Sequence, residues 1–315
     1  MNYVFLILCL VVIAFSSNWL VDGAVVIAKR FKISDFVIGA VIVGMGTSFP
    51  ELVVSTIGAI NGSSDIAIGN VVGSNIFNVL GILGLTAMVM PVAVSRENKR
   101  FDIPFCIFVS ILTTLLVFNF FVGDGEPMIT YLDGLALLAV FALFMFFSLK
   151  NGKQDSQSDS YEVVTNKQLI LGIGKVVAGL AALIVSSDIF LENAISIAEQ
   201  WGVSKAFIGI TLVACGTSLP ELAASITAAA KKNTQLALGN IIGSNIFNLS
   251  LILGVASQII PLESANITMV DYAVMTTAAI LPFVLCYKGR LNRWAGAVMF
   301  LGFVAYNTYL IWSQP

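Results

Sequence analysis

The sequence predicts an all-α polytopic membrane protein with ten transmembrane helices, arranged as two inverted repeats of five helices. Three observations predict this fold: the composition, the number of apolar runs, and an internal repeat. Of the 315 residues, 58% are hydrophobic and 11% are charged, and the mean hydropathy is +0.94. A soluble domain carries about 25% charged residues, so this composition indicates a chain that lies mostly in lipid.

Ten apolar runs are each long enough for a membrane span of about 20 residues. They lie near 3–28, 36–60, 66–92, 102–122, 128–149, 168–198, 206–230, 235–261, 269–287 and 292–312. The polar stretch 151–167 separates them into two groups of five and is typical of a flexible linker. We therefore expect a first repeat over 1–150 and a second repeat over 168–315.

The basic residues predict the orientation in the membrane. With ten spans, all but one of the 16 Lys and Arg residues fall on the same side, and only Lys205 falls on the other. The positive-inside rule places the Lys- and Arg-rich side in the cytoplasm. We therefore expect a multi-pass protein of the cell (inner) membrane, with both termini outside and the linker in the cytoplasm. A wrong number of spans would scramble this asymmetry.

The two halves of the chain repeat one another. Adding 170 to a residue number in the first half gives its counterpart, and 24 of the 52 positions between 33 and 84 are identical. Because each half has an odd number of spans, the second half must enter the membrane from the opposite side. Inverted repeats of this kind are typical of secondary transporters, which bind their substrates near the midplane where the repeats meet.

The first shared motif runs from Thr47 to Glu51 and returns from Thr217 to Glu221, in both cases inside an apolar run. A carboxylate at membrane depth is costly and is rare unless it faces a cavity or a cation. Each motif contains a proline with a glycine four residues earlier, so each helix is expected to break and leave free carbonyls. Carboxylate, hydroxyl and carbonyl oxygens suit hard cations such as Ca²⁺ and Na⁺.

The second shared motif, Gly-Ser-Asn-Ile-Phe-Asn, adds polar groups on one helix face in each half, because its Ser and final Asn are four residues apart. Asn75 and Asn245 lie off this face, where we expect them to cap or brace the break. The two glutamates carry a formal charge of −2, which one Ca²⁺ would neutralise. The candidate ligands are Thr47, Ser48, Glu51, Ser74 and Asn78, with their counterparts Thr217, Ser218, Glu221, Ser244 and Asn248.

These motifs resemble those of the sodium/calcium exchanger family, in its short prokaryotic form. The resemblance implies exchange of Na⁺ for Ca²⁺, with Glu51, Glu221, Thr47 and Thr217 around Ca²⁺ and the first and sixth spans sliding over the rest. The Na⁺ sites would use the hydroxyls of Ser48, Ser74, Ser218 and Ser244 and the carbonyls of Gly44 and Ala214. One position departs from the archaeal pattern, where an Asp stands in place of Asn248.

The loss of that carboxylate leaves a second function open, an H⁺/Ca²⁺ or K⁺-assisted exchanger of the same superfamily. An enzyme is not expected, because the chain has no histidine for a zinc site or a Ser-His pair. A channel is disfavoured by the two self-similar, inverted halves. Apart from the transported ions and the lipid bilayer, we expect no cofactor and no nucleic acid, and a monomer is compatible with the sequence.

Overall fold

The computed structural model describes residues 2–118, 126–152, 164–200 and 216–313, and most of them are helical. The helices are α1 (Asn2–Phe31), α2 (Asp35–Ile38), α3 (Met45–Thr47), α4 (Phe49–Ile60), α5 (Ser64–Ile76), α6 (Gly84–Val89), α7 (Ile103–Val117), α8 (Tyr131–Asn151), α9 (Asn166–Gln200), α10 (Leu219–Ala230), α11 (Thr234–Phe247), α12 (Leu253–Ser257), α13 (Met269–Leu285) and α14 (Arg293–Ser313). Segments of wider π-helix lie at Gly39–Gly44, Phe77–Leu83, Asn98–Asp102 and Asn248–Ile252.

The helices confirm an all-α membrane protein. Within the described ranges, seven helices are long and apolar enough to cross a membrane, and α2 to α4 make an eighth if the bent pair is one span. The shorter apolar helices α10 and α13 fall on two further predicted runs. The run 206–230 is described only from residue 216, so the prediction of ten spans is not fully covered.

Two segments form the centre of the molecule, and both carry the second shared motif. In the span Ser64–Val89, 78% of the most apolar window is buried, and in Thr234–Ser257 the share is 94%. The corresponding share in α14 is only 17%. The outer helices therefore expose their apolar side chains to lipid. Trp294 and Trp312, at opposite ends of α14, are the kind of residue that anchors a helix at the two membrane interfaces.

Backbone contact between the halves is closest where α11 crosses α2 and the π segment after it. A Cβ atom on Gly239 would overlap the Phe36 carbonyl oxygen and lie 3.0 Å from the Ala40 nitrogen. A Cβ atom on Gly39 would overlap the Leu236 carbonyl oxygen. Small residues allow this approach, which van der Waals packing between helices in lipid requires. The crossing brings the first half directly against the central helix of the second.

Helices α1 and α9 pack side by side along the outside of this core. They contain 30 and 35 residues, so at about 1.5 Å per residue each is longer than the ~30 Å hydrocarbon layer. Their contact also depends on glycine, because a Cβ atom on Gly179 would lie 2.8 Å from the Leu20 nitrogen and 2.9 Å from the Ser16 carbonyl oxygen. The pair is therefore a tightly packed unit of its own.

Four short strands join the loops of one half to the loops of the other. Strand β1 (Val92–Ala93) pairs antiparallel with β4 (Arg290–Leu291), and β2 (Met128–Ile129) pairs antiparallel with β3 (Leu262–Glu263). Each pair thus combines one strand from each half of the chain. The loop that follows α6 is consequently fixed beside the loop that precedes α14.

Candidate functional site

The first shared motif lies where a helix breaks. Asp35–Thr47 and Phe49–Ile60 meet at an angle of 46°, and the residue between them is Ser48, with φ −81° and ψ 11°. Ser218 has nearly the same conformation, with φ −93° and ψ 14°, at the start of α10. In each helix the proline stands in the first turn, where its missing N–H costs nothing. The proline therefore starts a new helix, and the bend falls two residues before it.

The two breaks meet through crossed hydrogen bonds. The Ser48 hydroxyl donates to Glu221 Oε1 at 2.8 Å, and the Ser218 hydroxyl donates to Glu51 Oε1 at 2.9 Å. All four side chains are fully buried. The serine of each repeat thus binds the glutamate of the other, which brings both carboxylates into one buried region.

Each glutamate keeps one oxygen without a partner. Glu51 Oε2 and Glu221 Oε2 are buried and receive no hydrogen bond from the described residues, and the same is true of Asn78 Oδ1, Asn248 Oδ1 and the Ser74 hydroxyl. Leaving a buried polar group unpaired costs about 1–3 kcal/mol, and more for a charged one. These unpaired oxygens therefore mark a site that requires a positively charged or hydrogen-bonding occupant.

Two asparagines that were not among the predicted ligands fix the broken helices. Asn240 Nδ2 donates to the Glu221 carbonyl at 3.2 Å and to the Ser225 hydroxyl at 2.8 Å, while its Oδ1 accepts from Thr47 at 3.2 Å. It connects the second break to the first through one side chain. Because Thr47 is buried beside it, Asn240 also fixes the position of a predicted Ca²⁺ ligand.

Asn70 makes the corresponding contacts in the first half. Its Nδ2 donates to the Glu51 carbonyl at 3.2 Å and to the Ser55 hydroxyl at 3.0 Å, and its Oδ1 accepts from Thr217 at the longer distance of 3.5 Å. Asn70 and Asn240 are identical counterparts in the repeat, so the repeat itself carried the signal that would have identified them.

The Gly44 carbonyl is not free, contrary to the expectation for the broken helix. It accepts from the Ser48 N–H at 3.0 Å, from the Thr47 hydroxyl at 3.2 Å and from the Ser244 hydroxyl at 3.2 Å. The π-helical turn before it directs this carbonyl toward the second half. It can bind a cation only if one of these hydrogen bonds opens. Its counterpart Ala214 lies outside the described residues.

Asn75 and Asn245 do not brace the break, contrary to the prediction that they cap or brace it. Asn245 Oδ1 accepts from Asn78 Nδ2 at 3.0 Å, and Asn75 Oδ1 accepts from Asn248 Nδ2 at 3.3 Å. Their partners are thus the predicted ligands of the opposite repeat. Asn78 and Asn248 lie in or at the start of π-helical segments, which are often found at functional sites.

The arrangement can bind a hard cation. Its unpaired acceptors are carboxylate, amide and hydroxyl oxygens, and two carboxylates supply a formal charge of −2. In the described part of the chain no group of three His, Cys, Asp or Glu residues could hold a metal. Neutral oxygens would therefore have to complete the coordination, as they commonly do around Ca²⁺.

Fold and site together define an all-helical, multi-pass membrane protein whose two halves bury a shared pair of carboxylates. A sequence model of the sodium/calcium exchanger protein family matches residues 1–150 and 171–312. The chain therefore belongs to the sodium/calcium exchanger protein family, a family of membrane transporters in which this chain is a short prokaryotic form. The finding confirms the resemblance drawn from the two shared motifs.

Individual relatives match over nearly the whole chain. The putative antiporter CaxA of Alkalimonas amylolytica is 36% identical over 324 residues, which cover 99% of this chain and 98% of that protein. The sodium/calcium exchanger MaX1 of Methanosarcina acetivorans is 34% identical over 345 residues, with 99% of each chain covered. A solved structure of the sodium-calcium exchanger NCX_Mj superposes with a TM-score of 0.84 at 30% identity, covering 100% of this chain and 98% of that one.

Proposed function

We propose that the protein is a secondary active antiporter that exchanges Na⁺ for Ca²⁺ by alternating access. The observation that supports this most is the crossed pair of glutamates, each with one oxygen satisfied by the opposite serine and one oxygen unpaired. A dehydrated Ca²⁺ would neutralise both carboxylates at once. The names of the relatives, an antiporter and sodium/calcium exchangers, agree with this proposal.

In this proposal the ligands divide between the two ions. Ca²⁺ would be held by the unpaired oxygens of Glu51 and Glu221, with the Thr47 and Thr217 hydroxyls completing its shell. The Na⁺ sites would use the remaining candidates, among which the Ser74 hydroxyl is buried and unpaired in the described residues. These candidates are Ser48, Ser218, Ser74, Ser244 and the carbonyls of Gly44 and Ala214. The amide oxygens of Asn78 and Asn248 are available to either ion.

We also propose ten spans in two inverted repeats, 1–150 and 168–315, with the linker 151–167 in the cytoplasm and both termini outside. The strand pairs support this topology. Because β1 pairs with β4, an even number of spans must separate their loops, and six of the ten apolar runs lie between them. The pairing of β2 with β3 imposes the same condition on the opposite side, where four runs lie between the strands.

Alternating access would require α1 and α9 to move over the core, and the second half of α1 is hydrogen-bonded to that core. Lys231 Nζ, just after α10, donates to Asp22 Oδ1 at 2.6 Å and to the Asn18 carbonyl at 3.3 Å. Nearby, the hydroxyls of Ser17 and Thr227 are 2.8 Å apart. In the proposed topology these contacts close the cytoplasmic side.

The repeat counterparts cannot form the same ties. Glu192 and Asn61 replace the Asp-Lys pair, and the counterparts of Ser17 and Thr227 are Ser187 and Ile57, of which Ile57 has no hydroxyl. Ser187 has no hydrogen-bond partner in the described part of the chain. The two ends of the transporter would therefore differ in how strongly they are closed.

Replacing Lys231 should loosen the cytoplasmic end. In the Lys231→Met variant we expect hydrogen exchange of the backbone around Ser17 and Thr227 to rise about two- to fivefold, because a partly exposed ion pair contributes up to about 1 kcal/mol. Hydrogen–deuterium exchange with mass spectrometry measures this. Lys232→Met is the matched control, since Lys232 makes no salt bridge in the described residues. Equal exchange in both variants would show that the ion pair does not close this end.

The proposed exchange is tested by ion flux in liposomes. With purified protein, Na⁺-loaded liposomes placed in Na⁺-free medium should take up radioactive Ca²⁺ at least ten times faster than liposomes without the gradient. The rate should persist when K⁺ is omitted and when the pH gradient is collapsed. Uptake that follows the pH gradient or requires K⁺ would instead indicate an H⁺/Ca²⁺ or a K⁺-assisted exchanger. Absence of any Ca²⁺ uptake would contradict both.

A further inference from the structure

Four buried asparagines form two hydrogen-bonded pairs at the centre of the molecule, one member of each pair from each half. Asn78 donates its Nδ2 to Asn245 Oδ1, and Asn248 donates its Nδ2 to Asn75 Oδ1. All four side chains are at most 3% exposed. Bulk water and lipid do not reach these amides, so their partners are neighbouring protein groups or a bound ion.

These bonds decide which end of each ligand amide faces the cation. An asparagine side chain has a donor end and an acceptor end. Because Asn78 and Asn248 each use the donor end on their partner, each leaves its oxygen unpaired. The opposite orientation would place an NH₂ group, a donor with partial positive charge, where the proposed cation requires an oxygen.

The two pairs differ in how firmly they are anchored. Asn245 Nδ2 donates to the Asn75 backbone carbonyl at 3.2 Å, and a backbone carbonyl has no alternative orientation to offer. Asn245 must therefore present its oxygen to Asn78. Asn75 Nδ2, by contrast, has no partner in the described residues. The Asn75 amide can accordingly turn over without losing a hydrogen bond of its own donor end.

We propose that Asn245 and Asn75 are positioning residues that orient the amides of Asn78 and Asn248, the first rigidly and the second reversibly. This inference rests on the proposed cation site. It makes the two equivalent ligand positions unequal. A carboxylate in place of Asn248 can be met by the Asn75 NH₂ group after that amide turns. A carboxylate in place of Asn78 would face the fixed oxygen of Asn245, so two acceptors would oppose each other.

The test compares the same substitution at the two equivalent positions. We expect Asn78→Asp to raise the KM for Ca²⁺ uptake at least about fivefold more than Asn248→Asp does, because an unmatched buried acceptor costs about 1–3 kcal/mol. Adding Asn75→Leu should remove this advantage of Asn248→Asp, a coupling that a double-mutant cycle measures. Equal KM values for the two single variants would overturn the proposal.

A second variant keeps the test decisive if Asn78→Asp does not fold. Asn245→Leu keeps the branching and the number of side-chain heavy atoms and does not touch the cation, but it frees the Asn78 amide. Its KM for Ca²⁺ should rise about tenfold with little change in maximal rate, and Ca²⁺ should raise its Tm less than that of the wild type. An unchanged KM and Tm shift would overturn the positioning role. If the wild-type protein itself neither transports nor is stabilised by Ca²⁺, the proposed function fails instead.

Discussion

The Glu51→Gln variant is expected to lose Ca²⁺ transport by at least about 30-fold while remaining folded. Glutamine has the same shape and can still accept the 2.9 Å hydrogen bond from Ser218. Its other end, however, becomes an NH₂ group in the place of the unpaired oxygen Oε2, and the formal charge of the pair falls from −2 to −1. Removing one partner from a buried charge interaction costs about 2–5 kcal/mol, which corresponds to this loss.

The same substitution should stabilise the ion-free protein or leave its stability unchanged. The two glutamates are like charges buried close together, and a neutral amide is less costly at membrane depth than a carboxylate. We therefore expect the Tm without Ca²⁺ to be equal or higher, and the rise in Tm on adding Ca²⁺ to disappear. A residue kept only for folding would show the reverse, a lower Tm.

Radioactive Ca²⁺ uptake into liposomes and thermal unfolding in detergent measure the two effects. Glu221→Gln should behave like Glu51→Gln, because the crossed hydrogen bonds treat the two glutamates alike. Glu263→Gln is the matched control, since Glu263 is exposed in a short loop strand far along the chain from both motifs. Wild-type transport in either glutamate variant would contradict the proposed site.

The repeat made much of the site predictable from the sequence. It identified Glu51 and Glu221 as equivalent, and it placed both in helices interrupted beside a proline. A carboxylate at membrane depth needs a cavity or a cation, so two matched carboxylates are expected to share one site. In the structure, the crossed hydrogen bonds from Ser48 and Ser218 bring both glutamates into one buried region.

The partners within the site were not predictable. Nothing in the sequence indicates that Ser48 binds the glutamate of the opposite repeat and not Glu51 of its own, because that depends on how the two breaks dock. The engagement of the Gly44 carbonyl depends likewise on a π-helical turn. Helical periodicity assumes a constant turn, so one wider turn redirects every group that follows it.

The orientation of a buried asparagine amide cannot be predicted from the sequence either. Asn75 and Asn245 occupy equivalent positions, yet only Asn245 donates to a backbone carbonyl among the described residues. Sequence identity between repeats predicts equivalent contacts, and this pair shows where the equivalence ends. A hydrogen-bond network closes in one of several ways, and the choice depends on distances that only the folded protein defines.

Gly239→Leu is expected to reduce the yield of folded protein more than tenfold. A side chain at this position would overlap the carbonyl of Phe36, with the carbonyl carbon only 2.9 Å from the new Cβ atom. The obstacle is backbone inside a helix, which cannot move aside as a flexible side chain can. Overpacking of a tight core costs about 1–3 kcal/mol and sometimes more. Here the added side chain would push the two halves of the protein apart where their backbones cross.

A smaller displacement of α11 should disturb the candidate site without unfolding the protein. The Gly239→Ala substitution tests this. Asn240 is the residue after Gly239 within α11, and it accepts a 3.2 Å hydrogen bond from Thr47. A shift of α11 by a few tenths of an ångström would therefore lengthen that bond first. We expect Gly239→Ala to lower the Tm by several degrees and to weaken Ca²⁺-induced stabilisation. Gly174→Ala is the control, because a Cβ atom there meets open space on α9. Equal Tm values for these two variants would mean that the helices tolerate a wider crossing, and that close backbone contact does not hold the two halves together.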